Sequence, residues 1–160
     1  MKYVIVPSIH DMMSRTWLNE GHKVADTYEC SVYLDEKMLE EMKELKSLRI
    51  LNSRQGTLLK FSEQLENESV PSLLGKRIHI IDQFYVTRNF RNKGLGKVIM
   101  RAIEEELKRK GMHICLIRLW EFDIINPFLA VDKEGIIRFF KGEGYELFGK
   151  NKEVWLIKEL

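Results

Sequence analysis

The chain has 160 residues, 44% of them hydrophobic, which is enough for one domain with a full core and no staples. Its 26 basic and 24 acidic residues are mixed along the sequence and leave a formal charge of +2, so there is no electrostatic footprint for nucleic acid or for an anionic membrane. No apolar run approaches the eighteen or so residues that span a bilayer, and Cys30 and Cys115 have neither disulfide-framework nor zinc-ligand spacing, so a metal-free protein of the reducing cytoplasm is expected.

In chain order, Lys2 to Val6 reads as a strand. Ile9, Met12, Met13, Thr16 and Trp17 recur at helical spacing up to Gly21, and a helix is expected there. Thr27 to Leu34, rich in β-branched and aromatic residues, reads as a strand, and Asp35 as the cap of a helix with Met38, Met42, Leu45 and Leu48 on one face. Arg49 to Phe61 reads as a hairpin around Asn52 to Gly56, and Glu63 to Ser72 as a polar connection. Ile78 to Val86 reads as a largely buried strand. Alternation puts His79, Ile81, Gln83 and Tyr85 on one face, with His79 facing outward, and Ile80, Asp82, Phe84 and Val86 on the other; a bulge would break that parity.

Lys97 to Lys110 reads as a helix striped by Ile99, Ile103 and Leu107, with Val98 and Ala102 beside the stripe and Arg101, Glu104, Glu105 and Lys108 opposite. Gly111 ends it. His113 to Trp120 is a second strand, and Glu134 to Lys141 a short helix with Asp132 as its cap. Tyr145 to Phe148 and Val154 to Lys158 form a terminal hairpin through Gly149 to Lys152. The order implies an α/β (α+β) domain over residues 1–160, with a mixed sheet covered by helices.

Between the strand ending Phe84-Tyr85-Val86 and the helix lies Arg91-Asn92-Lys93-Gly94-Leu95-Gly96. Glycines at alternate positions let the backbone turn tightly and approach a ligand. The free amides and positive dipole end of the following helix suit a phosphate. A Walker A loop would need Gly at Arg91 and a hydroxyl at Val98, and a dinucleotide fingerprint would need a third Gly at Ile99. What remains, Arg/Gln-x-x-Gly-x-Gly/Ala, resembles the pyrophosphate motif of the GNAT superfamily of acyl-coenzyme A-dependent N-acetyltransferases. Gln83 to Val86 with Thr87 to Phe90 resembles that family's fourth strand and its lead into the loop. Ile136-Ile137-Arg138-Phe139-Phe140-Lys141-Gly142-Glu143-Gly144-Tyr145 resembles its late helix, usually Ala-x-x-Phe-Tyr-x-x-x-Gly-Phe.

The resemblance covers roughly residues 78 to 160. It implies a GNAT-like, mostly antiparallel sheet and acetyl-CoA as cosubstrate. The amides of Asn92, Lys93, Gly94, Leu95, Gly96 and Lys97 would hold the pyrophosphate, Arg91 or Lys93 would add charge, and the backbone of Phe84, Tyr85 and Val86 would carry the pantetheine arm as an added strand. An acyl acceptor amine with pKa about 10.4 is only about one part in two or three thousand neutral near pH 7, and a nearby carboxylate, directly or through water, could accept its proton. Asp82, set in an otherwise apolar strand, is the candidate, with Glu121 and Asp123 behind it. The chain departs from the family where the leaving thiolate's acid, usually Tyr, is Phe140, and where the usual opening Asn is Lys133 after an atypical insertion, Ile124 to Val131. Tyr85, Tyr145 or water are the alternatives for that acid. Two readings follow: an N-acetyltransferase acting by direct transfer to an unidentified amine, or a module that binds the coenzyme without transfer. The edge of the terminal hairpin offers a contact for a homodimer.

Overall fold

A computed structural model describes residues 1–7, 12–50, 59, 73–119, 133–150 and 153–160. Its strands are β1 (Lys2–Val6), β2 (Met13–Asn19), β3 (His22–Leu34), β4 (Lys76–Val86), β5 (Ile114–Leu119), β6 (Glu146–Lys150) and β7 (Glu153–Glu159). Its helices are α1 (Glu36–Ser47), α2 (Leu95–Arg109) and α3 (Lys133–Gly142), with a 3-10 turn at Arg88–Phe90. The strands form one seven-stranded sheet in the order β1-β2-β3-β4-β5-β7-β6. All neighbours are antiparallel except β4 and β5, which α2 joins as a parallel crossover. This is the mixed, mostly antiparallel sheet with a terminal hairpin that the sequence implies.

The helix expected between Ile9 and Gly21 is instead β2 over its described part. Arg15 and Trp17 are its buried residues, a period of two. Because one of the pair is an arginine, the alternation does not read as apolar and the helical spacing wins by accident. Gly21, taken for a helix end, forms with Glu20 a two-residue hairpin turn at φ of 79° and 52°, which leads into a β3 longer than expected. Residues 8–11, most of the hairpin expected from Arg49 to Phe61 and the connection at 63–72 lie outside the described residues, but Leu59, expected in that hairpin, is helical and buried.

Around α1 the expectation holds with one substitution. The Asp35 side chain accepts the Met38 amide at 2.8 Å as the cap, but Leu39 and Met42 are the buried pair while Leu48 is exposed. These helix residues pack with Cys30, Val32, Leu34, Ile78, Ile80, Leu116 and Trp155 on one face of the sheet. On the other face α2 contributes Ile99, Met100, Ile103 and Leu107, against Ile81, Cys115, Ile117, Leu156 and Phe140. Val98, expected beside the α2 stripe, is exposed, and Glu104, expected opposite it, is buried.

The position of the site depends on one irregularity. Across β3 and β4, Glu29 pairs with Ile81 and Tyr28 with Gln83, which leaves Asp82 as an extra residue in β4. This β-bulge corrects the simple parity. Ile80 stays on the α1 face, whereas Phe84 and Val86 join Ile81 on the α2 face. Beyond the bulge the sheet also forks. The β4–β5 pairing stops at Ile81↔Ile117, although β4 continues to Val86 and β5 continues beside β7 to Leu119.

Candidate functional site

The loop closes β4 against α2. The Thr87 amide donates to the Val24 carbonyl at 2.8 Å, a 3-10 turn follows, and the first bond of α2 runs from the Val98 amide to the Gly94 carbonyl at 3.3 Å. The amides of Leu95, Gly96 and Lys97 therefore precede every intrahelical acceptor and sit at the positive end of the helix. Asn92 and Gly94 are both left-handed, at φ of 60° and 74°, so successive amides turn inward as in an anion nest.

The two glycines serve different ends. A Cβ on Gly94 would meet nothing within 4 Å, so glycine is needed there for its backbone angle. A Cβ on Gly96 would lie 3.5 Å from Phe139 and 3.7 Å from Phe84, ordinary contact distances, so this position accepts alanine sterically. The Arg91 Nε donates to the Val86 carbonyl at 2.9 Å, and its guanidinium lies 5.1 Å from the centre of the Tyr85 ring. Its Nη2 is buried without a hydrogen-bond partner among the described residues. A buried cationic donor with no partner among the described residues, in the same loop as the helix's first amides, fits a pyrophosphate. Lys97 points elsewhere: its Nζ lies 3.8 Å from Glu143, which also faces Arg101 at 3.8 Å, so toward the cradle Lys97 offers its amide. Lys93 is exposed, its Nζ 5.6 Å from the centre of the Phe90 ring.

Asp82 sits at the bulge, at the base of the fork. Its Oδ1 is 3.6 Å from Nη1 of Arg118, the first β5 residue beyond the last parallel pair. The guanidinium in turn lies 5.7 Å from the ring of Trp155, which places the pair on the α1 face. Glu121 and Asp123 fall outside the described residues, as do Trp120, the insertion from Ile124 to Val131 and the cap at Asp132.

Phe140 is 3% exposed and held edge-on by aromatic rings, with centroids 6.3 Å from Phe84, 5.0 Å from Phe139 and 5.4 Å from Tyr145. Tyr145, an alternative for the missing acid, has its hydroxyl engaged. Its hydroxyl donates to Glu104 at 2.8 Å, and burial, reinforced by Cys115 and Glu104, pushes its pKa far above the usual phenol range. Lys158 completes that cluster, donating to both Glu104 oxygens at 3.1 Å and to the Glu143 carbonyl at 2.7 Å. Burial pushes the neighbouring Cys115 thiol up to about 12, which makes it inert as a nucleophile.

A second buried network lies under α2 and joins three strands. Arg15 donates to Glu29 at 2.7 and 2.5 Å and to Glu106 at 2.8 Å, with its guanidinium beside the Tyr3 and Trp17 rings, 4.6 and 4.9 Å from their centres. Thr27 donates to Glu29 at 2.6 Å and accepts from the Trp17 indole at 3.0 Å. His79, expected to face outward, is 3% exposed, with Nε2 2.8 Å from Glu29 and Nδ1 2.6 Å from the Ser31 hydroxyl. In the neutral ring this arrangement fixes the tautomer, since Nε2 carries the proton toward the carboxylate and Nδ1 accepts from Ser31. Burial alone would raise the Glu29 pKa, but hydrogen bonds from His79 and Arg15 and the Arg15 charge outweigh it and hold the group down at about 2. The sequence signal for both networks was charged or histidine residues inside strands and a helix stripe, a pattern that usually marks a solvated face.

Residues 57–123 match the model of the acetyltransferase (GNAT) family. No curated protein sequence matches the chain. In fold it is similar to a mutant agmatine N-acetyltransferase in its apo form, at 15% identity and a TM-score of 0.55, over 94% of this chain and 76% of that one. It is similar to a polyamine N-acetyltransferase of Drosophila melanogaster that forms N-acetylagmatine, at 15% identity and a TM-score of 0.55, over 92% and 74% of the two chains. A GNAT family acetyltransferase from Elizabethkingia anophelis with acetyl-CoA bound has 10% identity and a TM-score of 0.52, over 94% and 77%.

Proposed function

We propose that this chain, which has the GNAT fold and matches that family's model over residues 57–123, is an N-acyltransferase that moves an acetyl group from acetyl-coenzyme A to a primary amine. The observation that carries the reading is the cradle. The first-turn amides from Leu95 to Lys97, the left-handed Asn92 and Gly94 and an Arg91 Nη2 with no hydrogen-bond partner among the described residues belong to one loop that follows the fork in the sheet. Bound there, the coenzyme supplies a thioester whose carbonyl carbon an amine can attack. Among the described residues β4 has no β5 partner from Phe84 to Val86, and this edge would offer backbone groups for the pantetheine arm, leading from the cradle toward the base of the fork.

Asp82 is the group placed to take the first proton. An ammonium with pKa about 10.4 is neutral only about one part in two or three thousand near pH 7, a handicap of roughly 4 to 5 kcal/mol that a carboxylate at the reacting amine offsets. Once the carbon–nitrogen bond forms and the carbon–sulfur bond breaks, the nitrogen gives up its second proton to solvent and the sulfur leaves as thiolate. Phe140 donates nothing, and none is required for departure, because a thiol of pKa about 8.5 is a tolerable leaving group. Both thiols of the chain are buried, so transfer goes directly to the amine without a covalent enzyme intermediate.

The apolar setting of Phe140 favours a second reading, a module that binds acetyl-CoA and does not transfer. A thermal shift with acetyl-CoA against ATP and NAD tests what both share. At a hundred times the dissociation constant, binding stabilises by about 2.7 kcal/mol, a rise of roughly 5 to 10 °C for a domain of this size. The rise should vanish in Gly94→Glu, and its absence in the natural protein refutes both readings. Thiol release with a panel of amines then separates them.

A further inference from the structure

We propose that the outer edge of β1 is a dimer interface, on which a second copy of this chain lays its own β1 antiparallel and joins two seven-stranded sheets into one. The inference stands apart from the acyl-transfer reading. β1 ends the sheet order and, among the described residues, pairs only with β2. Alternate amides and carbonyls of its backbone therefore turn toward a side where no described strand lies. Its apolar side chains are exposed along the strand, Tyr3 by 39%, Val4 by 50%, Ile5 by 64% and Val6 by 40%.

Both faces of that edge are apolar. Tyr3 stands opposite Trp17 with ring centroids 5.0 Å apart, which puts Tyr3 and Ile5 on the α2 face and Val4 and Val6 on the α1 face. Edge strands of monomers are commonly guarded by a charge within the strand, a bulge or a proline. β1 instead keeps one register against β2 from Lys2 to Val6, carries its single charge at the first position, and meets Pro7 only after its last. At the opposite edge β6 opens on the charged Glu146, and Leu147 is its exposed large hydrophobic residue among those described. β1 is therefore the better-suited edge.

The pattern selects its own antiparallel copy. With Val4 of both copies on the two-fold axis, Tyr3 falls opposite Ile5 and Lys2 opposite Val6, so an aromatic–β-branched pair forms twice on the α2 face and like charges never meet. The two Lys2 positions are then four residues apart along the strands, roughly 14 Å, beyond a screening length of about 8 Å at physiological salt. A parallel copy would set them side by side. The exposed parts of Tyr3, Val4, Ile5 and Val6 amount to on the order of 350 Å² per protomer, or about 700 Å² for the pair before backbone is counted. That lies below the roughly 1,200 Å² of a standard interface and in the range of weak, reversible complexes, so the dimer should form at micromolar concentrations.

The test is sedimentation velocity on the full chain from about 1 to 500 μM. The expected result is a concentration-dependent monomer–dimer equilibrium that stops at the dimer. Val4→Lys and Val4→Glu, each alone, should weaken association at least tenfold, because residue 4 faces its own copy. Their melting temperatures, measured dilute where all forms are monomeric, should match that of the natural protein. Mixing the two variants should restore association, since lysine then faces glutamate, an outcome that a merely damaged fold would not give. A natural protein that stays monomeric throughout, one that grows beyond the dimer, or a dimer indifferent to Val4→Lys but lost in Leu147→Lys overturns the inference. So does a mixture that associates no better than either variant alone.

Discussion

Replacing Glu29 by glutamine tests whether the buried network under α2 holds the forked sheet together. The isosteric change keeps shape and most hydrogen-bonding positions but removes a carboxylate that is fully buried and contacted by Arg15, His79 and Thr27. The group's pKa falls from 4.5 to about 2 in the fold, a difference worth about 3 kcal/mol. That agrees with the 3 to 5 kcal/mol or so usually lost when one partner of a buried pair is removed. Because the folded value is depressed, the stabilisation is complete above the unfolded value of 4.5 and is lost as the pH falls through the folded value of about 2. Urea unfolding should therefore put Glu29→Gln about 3 kcal/mol below the natural protein at pH 7. The gap should shrink by roughly half at pH 3, where the unfolded carboxyl is protonated and the folded one is still mostly ionised. A gap under 1 kcal/mol or so at pH 7, or one that stays constant down to pH 3, refutes the assignment.

Three further outcomes follow from the site. Gly96→Ala should keep both fold and acetyl-CoA thermal shift, since its Cβ meets Phe139 at 3.5 Å, whereas Gly94→Ala should cost about 1 kcal/mol and weaken the shift because φ is 74°; equal melting temperatures refute this distinction. Phe140→Tyr should lower stability by about 1 to 2 kcal/mol, as a hydroxyl enters an aromatic cage, and should raise the rate of thiol release less than tenfold. A hundredfold rise would show that protonation of the leaving group limits the reaction. Cys30 and Cys115 should react with an aromatic disulfide reagent only in denaturant, given their burial and the raised Cys115 pKa, and labelling of the native protein within minutes at pH 8 contradicts it.

The second half of the chain was the more legible, and the reason is physical. The Lys97 helix, its Gly111 stop and the glycine loop are local features, set by backbone rules that act over a few residues. Asp35 as a cap was legible on the same ground. What failed to read was charge placed inside. Arg15 hid the alternation of β2, His79 looked like an outward residue, and Glu104 looked like the solvent side of α2. Each is buried because a partner from a distant element neutralises it: Glu29 and Glu106 for Arg15, Glu29 for His79, Lys158 and Tyr145 for Glu104. No local pattern announces such a pairing, since the partners are up to 91 residues apart.

The bulge is the other nonlocal decision, and it explains how one strand serves both sides of the sheet. Without an extra residue, alternation would carry Asp82, Phe84 and Val86 onto the same face as Ile80. With Asp82 inserted between the pairs Glu29↔Ile81 and Tyr28↔Gln83, the carboxylate remains with Arg118 on the α1 face while Phe84 turns under Gly96 on the α2 face. The glycine loop's Phe84 contact and the Asp82–Arg118 pair thus come to lie on opposite faces of the sheet. Deleting Asp82 would remove the bulge and the carboxylate together, yet it would leave Gln83 opposite Tyr28 and Phe84 and Val86 on the α2 face, because the inserted residue has no partner on β3. Asp82→Asn and the deletion should therefore both abolish proton acceptance while the acetyl-CoA shift survives. If Asp82→Asn also loses the shift, the carboxylate holds the fork open and its place in the chemistry must be reconsidered.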